Sequence, residues 1–248
     1  VIHSNPLRGP ADVADWIPEG PVQLSAQVFG AAADGGRGLG AADGGRGLGA
    51  DDGGRGLGAA GTSALVLSGS LDADEHGDHA HWTLWCPEEL PDHVRISWEF
   101  LPLEEPGLAM VFFAARGHSG EDLFSSALAP RTGFYPQYHS GDIDALHVSY
   151  FRHKHASERA FRTCNLRKSA GFELVAQGAD PLPPAVDADG FYGIEVVKDG
   201  PRVAFSINGL PLFAWTDPSP EPLGGGYFGI RQMAPLKAAY RNLSIAPF

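Results

Sequence analysis

Tyrosine, histidine and arginine crowd the middle of this 248-residue chain. Gln137-Tyr138-His139 precedes His147, and six of the 18 Lys and Arg follow between 152 and 168: Arg152, Lys154, Arg159, Arg162, Arg167 and Lys168, opposed there only by Glu158. Tyr and His beside cations suit elimination across C4–C5 of a uronic acid. A cation neutralises the carboxylate, a base takes the acidified C5 proton, and Tyr or His protonates the departing O4. Arg231 or Arg167 would serve as the cation, His147 or His139 as the base and Tyr138 as the acid. Arg152, Arg162, Lys168, Asn165 and Gln137 would bind substrate, Arg being suited to bidentate recognition of a carboxylate. The competing reading is structural: a solvated, ion-paired loop, a hydrogen-bonded strand histidine, and Tyr138 as a loop anchor.

Other chemistries find less support. Retaining hydrolysis on a jelly roll needs two carboxylates about 5 Å apart on one strand face, as in Glu-x-Asp-x-x-Glu, and no such phrase occurs. Glu121 and Asp122 are neighbours that a strand would send to opposite faces, and Asp142 and Asp144 sit in a glycine-led loop. A nucleophile elbow of Gly-x-Ser-x-Gly form is missing. His76, His79 and His81, with Asp74, Glu75 and Asp78, could bind a divalent metal, His79 and His81 sharing a strand face. Surface histidines in an acidic loop are the preferred reading, and no cofactor is required by the proposed chemistry. Cys86 and Cys164 lack C-x-x-C spacing and are expected to be buried free thiols.

Composition narrows the partners. A formal net charge of −12 opposes nucleic-acid binding, which needs a broad cationic surface. No apolar run nears the ~20 residues of a bilayer span, and Val1-Ile2-His3-Ser4-Asn5-Pro6 shows no basic or apolar leader region. A soluble, cytoplasmic protein is expected, or a secreted or periplasmic one if a leader has been removed. Nothing in the residues indicates an oligomeric state.

The elements that must carry these groups read as strands. Val22, Leu24, Ala26 and Val28 alternate, and Leu65 and Leu67 resume the alternation, as in a hairpin. Further strands are expected at 82–86, 94–100, 108–115, 146–151, 172–177, 192–198, 203–207, 212–215, 227–233 and 240–245, with turns at 198–201 and at Asn208-Gly209. Between the two arms of the first hairpin, residues 30–61 hold 14 of the 33 glycines. They contain Asp34-Gly-Gly-Arg-Gly-Leu-Gly40 and two further copies at a period of nine. The calcium-binding nonapeptide would place Asp where Gly40, Gly49 and Gly58 stand, so a duplicated loop insertion is expected. The whole reads as one domain, 1–248: an all-β jelly roll of two antiparallel sheets.

Strand phase then assigns faces. Leu146, Val148 and Tyr150 point one way, His147 and Ser149 the other. Phe228 and Ile230 oppose Tyr227, Gly229 and Arg231. Trp82, Leu84 and Cys86 oppose His81, Thr83 and Trp85, and Ile96, Trp98 and Phe100 oppose Glu99. If these polar faces belong to one sheet, they assemble a concave surface bearing His147, Arg231, Glu99, His81 and Trp85, with Trp85 as a stacking platform for a sugar.

Several irregular phrases carry a family resemblance: Trp85-Cys-Pro-Glu88, Gly120-Glu-Asp-Leu-Phe124, Ala129-Pro-Arg-Thr-Gly133 and Gly141-Asp-Ile-Asp-Ala-Leu-His-Val-Ser-Tyr-Phe-Arg152. Thr163-Cys-Asn-Leu-Arg-Lys168 and Gly229-Ile-Arg-Gln-Met-Ala-Pro235 continue it. Together they resemble the YesU-like family of bacterial concanavalin-like jelly-roll proteins over nearly the whole chain apart from the glycine repeat. The resemblance implies an association with acidic polysaccharide degradation, and hence an acidic oligosaccharide as ligand.

Overall fold

A computed structural model describes residues 2–30 and 61–248. Its strands are β1 (His3–Asn5), β2 (Ile17–Glu19), β3 (Val22–Phe29), β4 (Thr62–Gly69), β5 (Trp82–Leu90), β6 (His93–Glu104), β7 (Leu108–Gly117) and β8 (Ile143–Tyr150). They continue as β9 (Thr163–Ser169), β10 (Glu173–Ala179), β11 (Tyr192–Asp199), β12 (Arg202–Ile207), β13 (Leu210–Thr216), β14 (Gly226–Met233) and β15 (Lys237–Pro247). Among the described residues, three short α-helices interrupt them: α1 (Ala73–His76), α2 (Pro136–His139) and α3 (Ala156–Phe161).

All strand pairs are antiparallel. The first sheet runs β13-β12-β11-β6-β15-β4-β3, with β1 also on β15; the second runs β10-β9-β8-β7-β14-β5-β2. The expected hairpin is β3–β4, with Leu24 opposite Leu67 and Ala26 opposite Leu65. Its glycine-repeat tip, apart from Gly30 and Gly61, lies outside the described residues. At the β12–β13 turn, Asn208 (φ 50°) and Gly209 (φ 73°) occupy the left-handed region that a two-residue hairpin of matching twist requires.

Alternation builds the core. Trp98, Phe100, Ile194, Val196 and Tyr240 of the first sheet meet Phe113, Leu146, Tyr150, Phe228 and Ile230 of the second. Burying a large apolar side chain contributes about 1.5–3 kcal/mol, and the Trp98 indole N–H also donates to the Tyr150 hydroxyl at 3.2 Å. Cys86 and Cys164 are buried free thiols. No described helix is long and apolar enough to cross a membrane.

Three local expectations are corrected. Within the basic stretch 152–168, residues 156–161 form α3 and 163–168 lie in β9, rather than in the solvated loop of the competing reading. His79 lies in a 3-10 turn, Gly77–Ala80, that His81 closes, so the two share no strand face. Gln137-Tyr138-His139 forms a one-turn helix begun by Pro136, a residue whose fixed φ suits a first helical position.

Candidate functional site

On the face of the second sheet turned away from the core, register assembles two rows of side chains. One row reads Asn165, Ser149, Met110, Arg231, Thr83; the next reads Arg167, His147, Phe112, Gly229, Trp85. Strand phase thus places His147, Arg231, Trp85 and the residue pair 165/167 on one surface.

The segment 118–142 then covers much of it. Tyr138 and Leu123 pack on Trp85, Phe112, Met110, Ala145 and Tyr227. The Trp85 indole N–H and the Tyr138 hydroxyl each donate to Glu19 Oε2 at 2.8 Å, and Arg131 Nη2 reaches Glu19 Oε1 at 2.8 Å. Gly133 (φ +89°) lies against the His81 carbonyl so closely that a Cβ would stand 2.0 Å from its oxygen, so this docking requires glycine.

Beside the covered part a cleft of about 240 Å³ stays open, lined by Asp78, His81, Met110, Tyr135, Ser149, Arg152, Lys154, His155, Glu158, Asn165, Arg167 and Phe172, with Leu108 and Met233. Arg167 lies 4.0 Å over the Phe172 ring and donates to the Phe172 carbonyl at 2.9 Å. Arg152 is held by Glu158 Oε1 at 2.9 Å and Thr163 Oγ1 at 2.7 Å. Asn165 meets the Gln177 amide at 2.8 Å.

Beneath this cleft, Tyr135 contacts His147 Nε2 through its hydroxyl at 3.1 Å. Burial, then the neighbouring Arg167 and Arg231, push His147 down to about 3, so the ring is neutral. Burial holds the Tyr135 phenol up at about 12. Arg231 is fully buried; it donates to Thr83 Oγ1 at 3.0 Å and the Gly133 carbonyl at 2.9 Å, and its guanidinium lies 4.8 Å from the Tyr135 ring and 4.7 Å from that of Tyr138. The cation therefore lies over two aromatic rings.

The expected site residues part accordingly. His81, Arg152, Arg167 and Asn165 line the cleft. His147 and Arg231 lie below its surface, and half-buried His139 packs against Phe172 at its margin, the rings tilted with centroids 4.5 Å apart. Tyr138 is turned away, its hydroxyl bound to Glu19. Trp85 is fully buried, because segment 118–142 covers the face it shares, and it offers no open platform. Glu99 sits on β6 in the other sheet, paired with Arg241 and Asn242, since β6 joins β11 and β15 rather than β5 or β8. Lys168 turns to Asp217 at 2.7 Å, Arg162 caps α3 and donates to the Leu182 carbonyl, and Gln137 braces Thr132 and Pro130. Among the described residues, no group of three or more His, Cys, Asp or Glu side chains is placed to hold a metal ion.

Tyr135 and Lys154 bring chemistry that the sequence reading did not assign. Lys154 appears in it only as one member of the basic cluster. Tyr135 stands three residues before Tyr138, and only the turn at α2 brings both rings against Arg231.

Two antiparallel sheets in a sandwich, with a polar cleft on the non-core face of one, define a concanavalin-like jelly roll. The chain belongs to the family described as domain of unknown function DUF1961, whose sequence profile matches residues 52–245. It is 46% identical over 247 residues, 98% of this chain and 94% of the relative, to "Uncharacterized protein YesU" of Bacillus subtilis (strain 168). A crystal structure from Bacillus subtilis, described as a protein of unknown function with a galectin-like fold, is 46% identical. It superposes with a TM-score of 0.79, covering 99% of this chain and 95% of that one. The cellulose-induced protein Cip1 shares the fold at 9% identity and a TM-score of 0.51, covering 93% of this chain and 90% of its own.

Proposed function

We propose that the cleft binds an acidic, uronate-bearing oligosaccharide and eliminates across its C4–C5 bond, as a lyase where O4 carries a sugar or as a dehydratase where O4 is a hydroxyl. The observation that carries this reading is the Tyr135 phenol, backed by the neutral ring of His147 and set in a cleft whose rim holds two guanidinium groups. Arg167 and Arg152 would clamp the carboxylate, which acidifies the C5 proton by stabilising charge that spreads into the carboxylate as that proton leaves. With its proton retained, the phenol of Tyr135 is fitted to give it to O4 as the C4–O4 bond breaks, and the C5–H electron pair becomes the C4–C5 double bond. This passes the acid's role from Tyr138 to Tyr135. The family resemblance adds acidic polysaccharide as the expected source of substrate.

The test is incubation with pectic, glucuronan and ulvan-type oligosaccharides. The expected result is ultraviolet absorbance from a conjugated unsaturated uronate, with mass spectrometry separating chain cleavage from loss of water. Tyr135→Phe should lower turnover by about 10²–10⁴-fold, in line with losing a general acid. No product from any of these substrates would sink the proposal.

A second reading is non-catalytic sugar binding. It is favoured by the extent to which the cleft's polar groups are already hydrogen-bonded to one another, which gives a rigid, preorganised wall. Calorimetric affinity without product, unchanged in Tyr135→Phe, would support it.

A further inference from the structure

A base for the C5 proton has still to be found within the cleft. His147 lies behind Tyr135, fully buried, and its path to substrate is blocked by the phenol it contacts. His81 does reach the cleft, with two different neighbours at one nitrogen: Nε2 is 3.0 Å from Asp78 Oδ1 and 2.8 Å from Lys154 Nζ.

Hydrogen-bond accounting settles the proton on this ring. His81 Nδ1 accepts the backbone N–H of Ala234 at 3.1 Å, in a buried contact. A backbone N–H can only donate, so Nδ1 is bare and the single proton of the neutral imidazole resides on Nε2. Nε2–H needs acceptors. A carboxylate oxygen is one; an ammonium group is not, because it has three donors and no lone pair. At 2.8 Å an ammonium would set N–H against N–H, whereas an uncharged amine turns its lone pair to Nε2–H and can point one of its own N–H groups at Asp78 Oδ1, 3.5 Å away.

We propose that Lys154 stands in the cleft as an uncharged amine and is the proton acceptor for the C5 proton. When substrate enters, His81 Nε2–H turns wholly onto Asp78 and frees the amine's lone pair. The C5 proton passes to Nζ, the C5–H electrons form the C4–C5 double bond, and Tyr135 protonates the departing O4. Asp78 is then placed to stabilise the ammonium that results. The charged and titratable groups that face Lys154 or share its cleft are Asp78 and His81 from the turn before β5, Arg231 from β14, Arg152 and His155 from the residues between β8 and α3, Glu158 from α3, Tyr135 from the residue before α2 and Arg167 from β9. Burial, with Arg231, lowers the Lys154 amine from its ordinary range, against Asp78 and Glu158, which raise it. The remaining lysines sit closer to their carboxylates than Lys154 does to Asp78 at 3.5 Å: Lys168 is 2.7 Å from Asp217 and Lys237 2.8 Å from Glu104, and Lys198 is bound to Asp92.

The base role rests on the elimination reading, but the charge state does not, and the experiment separates them. Reductive methylation of the whole chain with carbon-13-labelled formaldehyde gives one pH-titratable NMR signal per lysine, assigned with Lys154→Arg and Lys237→Arg. The Lys154 signal should titrate below the pH of the oligosaccharide assays. A midpoint above that pH overturns the proposal. On an oligosaccharide that the wild type eliminates, Lys154→Ala should retain binding, lose turnover and regain part of it with added methylamine; undiminished turnover overturns the base role. If the wild type eliminates none of the substrates, the elimination reading fails, and the base role with it, while the titration still decides whether the amine is uncharged.

Discussion

The two halves of one sheet face, the part over β5 and β7 and the part over β8 and β9, begin from the same strand alternation and end as different environments. Over β5 and β7, segment 118–142 excludes water and turns Trp85, Phe112 and Tyr138 into a second apolar cluster whose polar ends converge on Glu19 and Arg131. Over β8 and β9 the same face stays open, and Arg152, Arg167, Lys154 and Tyr135 border solvent. The residue types are similar on both sides. What differs is whether a loop lies on top, and that decides whether an aromatic or a guanidinium group is structural or available to a ligand.

The strongest way to break this contrast is to unfasten the covered half. Glu19→Ala leaves Arg131, the Trp85 indole and the Tyr138 hydroxyl without their shared acceptor, and should cost about 3–5 kcal/mol, the penalty typical of orphaning one partner of a buried ion pair. Urea unfolding measures it; a loss under about 1 kcal/mol would mean that the loop is held by other contacts.

On the open half, Arg167→Met should weaken acidic oligosaccharide binding by roughly 10–100-fold, the equivalent of one hydrogen bond between charged groups. Neutral oligosaccharides should be nearly unaffected. Equal loss for both in calorimetry would argue that Arg167 shapes the cleft through Phe172 rather than reading a carboxylate.

Acid should act through the imidazoles beneath and beside the cleft. His81 and His147 are both lowered to about 3, chiefly by burial, well below their unfolded value. On acidification the unfolded state takes up these protons first, so stability is complete above pH ~6.5 and declines as pH falls from there toward ~3. Each ring contributes a slope of about 1.4 kcal/mol per pH unit within that window. In His147→Asn one of the two contributions disappears, and stability measured between pH ~6.5 and ~4 should fall less steeply than in wild type. Parallel curves would contradict the neutral, buried ring.

The smallest effect is expected on the opposite sheet. Glu99→Gln keeps an acceptor for the buried Arg241 guanidinium while removing the charge of a partly exposed carboxylate, and should change stability by only about 1 kcal/mol, leaving both oligosaccharide affinity and turnover unaltered. A large loss of turnover would place Glu99 in the reaction after all.

Much of this architecture was legible in the residues. Period-two alternation located most of the strands and correctly separated His147 and Ser149 from Leu146 and Val148, and Arg231 from Phe228 and Ile230, because a pleated strand sends successive side chains to opposite faces whatever its neighbours. Asn208-Gly209 marked its turn for an equally local reason. β9 escaped notice as a strand, since Asn165, Arg167 and Lys168 hide the alternation of Cys164 and Leu166 behind charge.

Other outcomes depended on distant parts of the chain. Whether Glu99 joins His147 depends on which strands β6 pairs with, and pairing is set between segments far apart in sequence. Trp85 has the spacing of an exposed platform and becomes a buried anchor only because Gly133 lets segment 118–142 press against His81. Tyr138 turns its hydroxyl to Glu19 while Tyr135, three residues earlier, meets His147. By itself, the sequence determined the side of each strand on which chemistry could lie, because that follows from backbone geometry one residue at a time. Only the tertiary structure decided which of those groups meet, which are sealed from water and which amine loses its charge, because each of these depends on distant segments brought within a few ångströms.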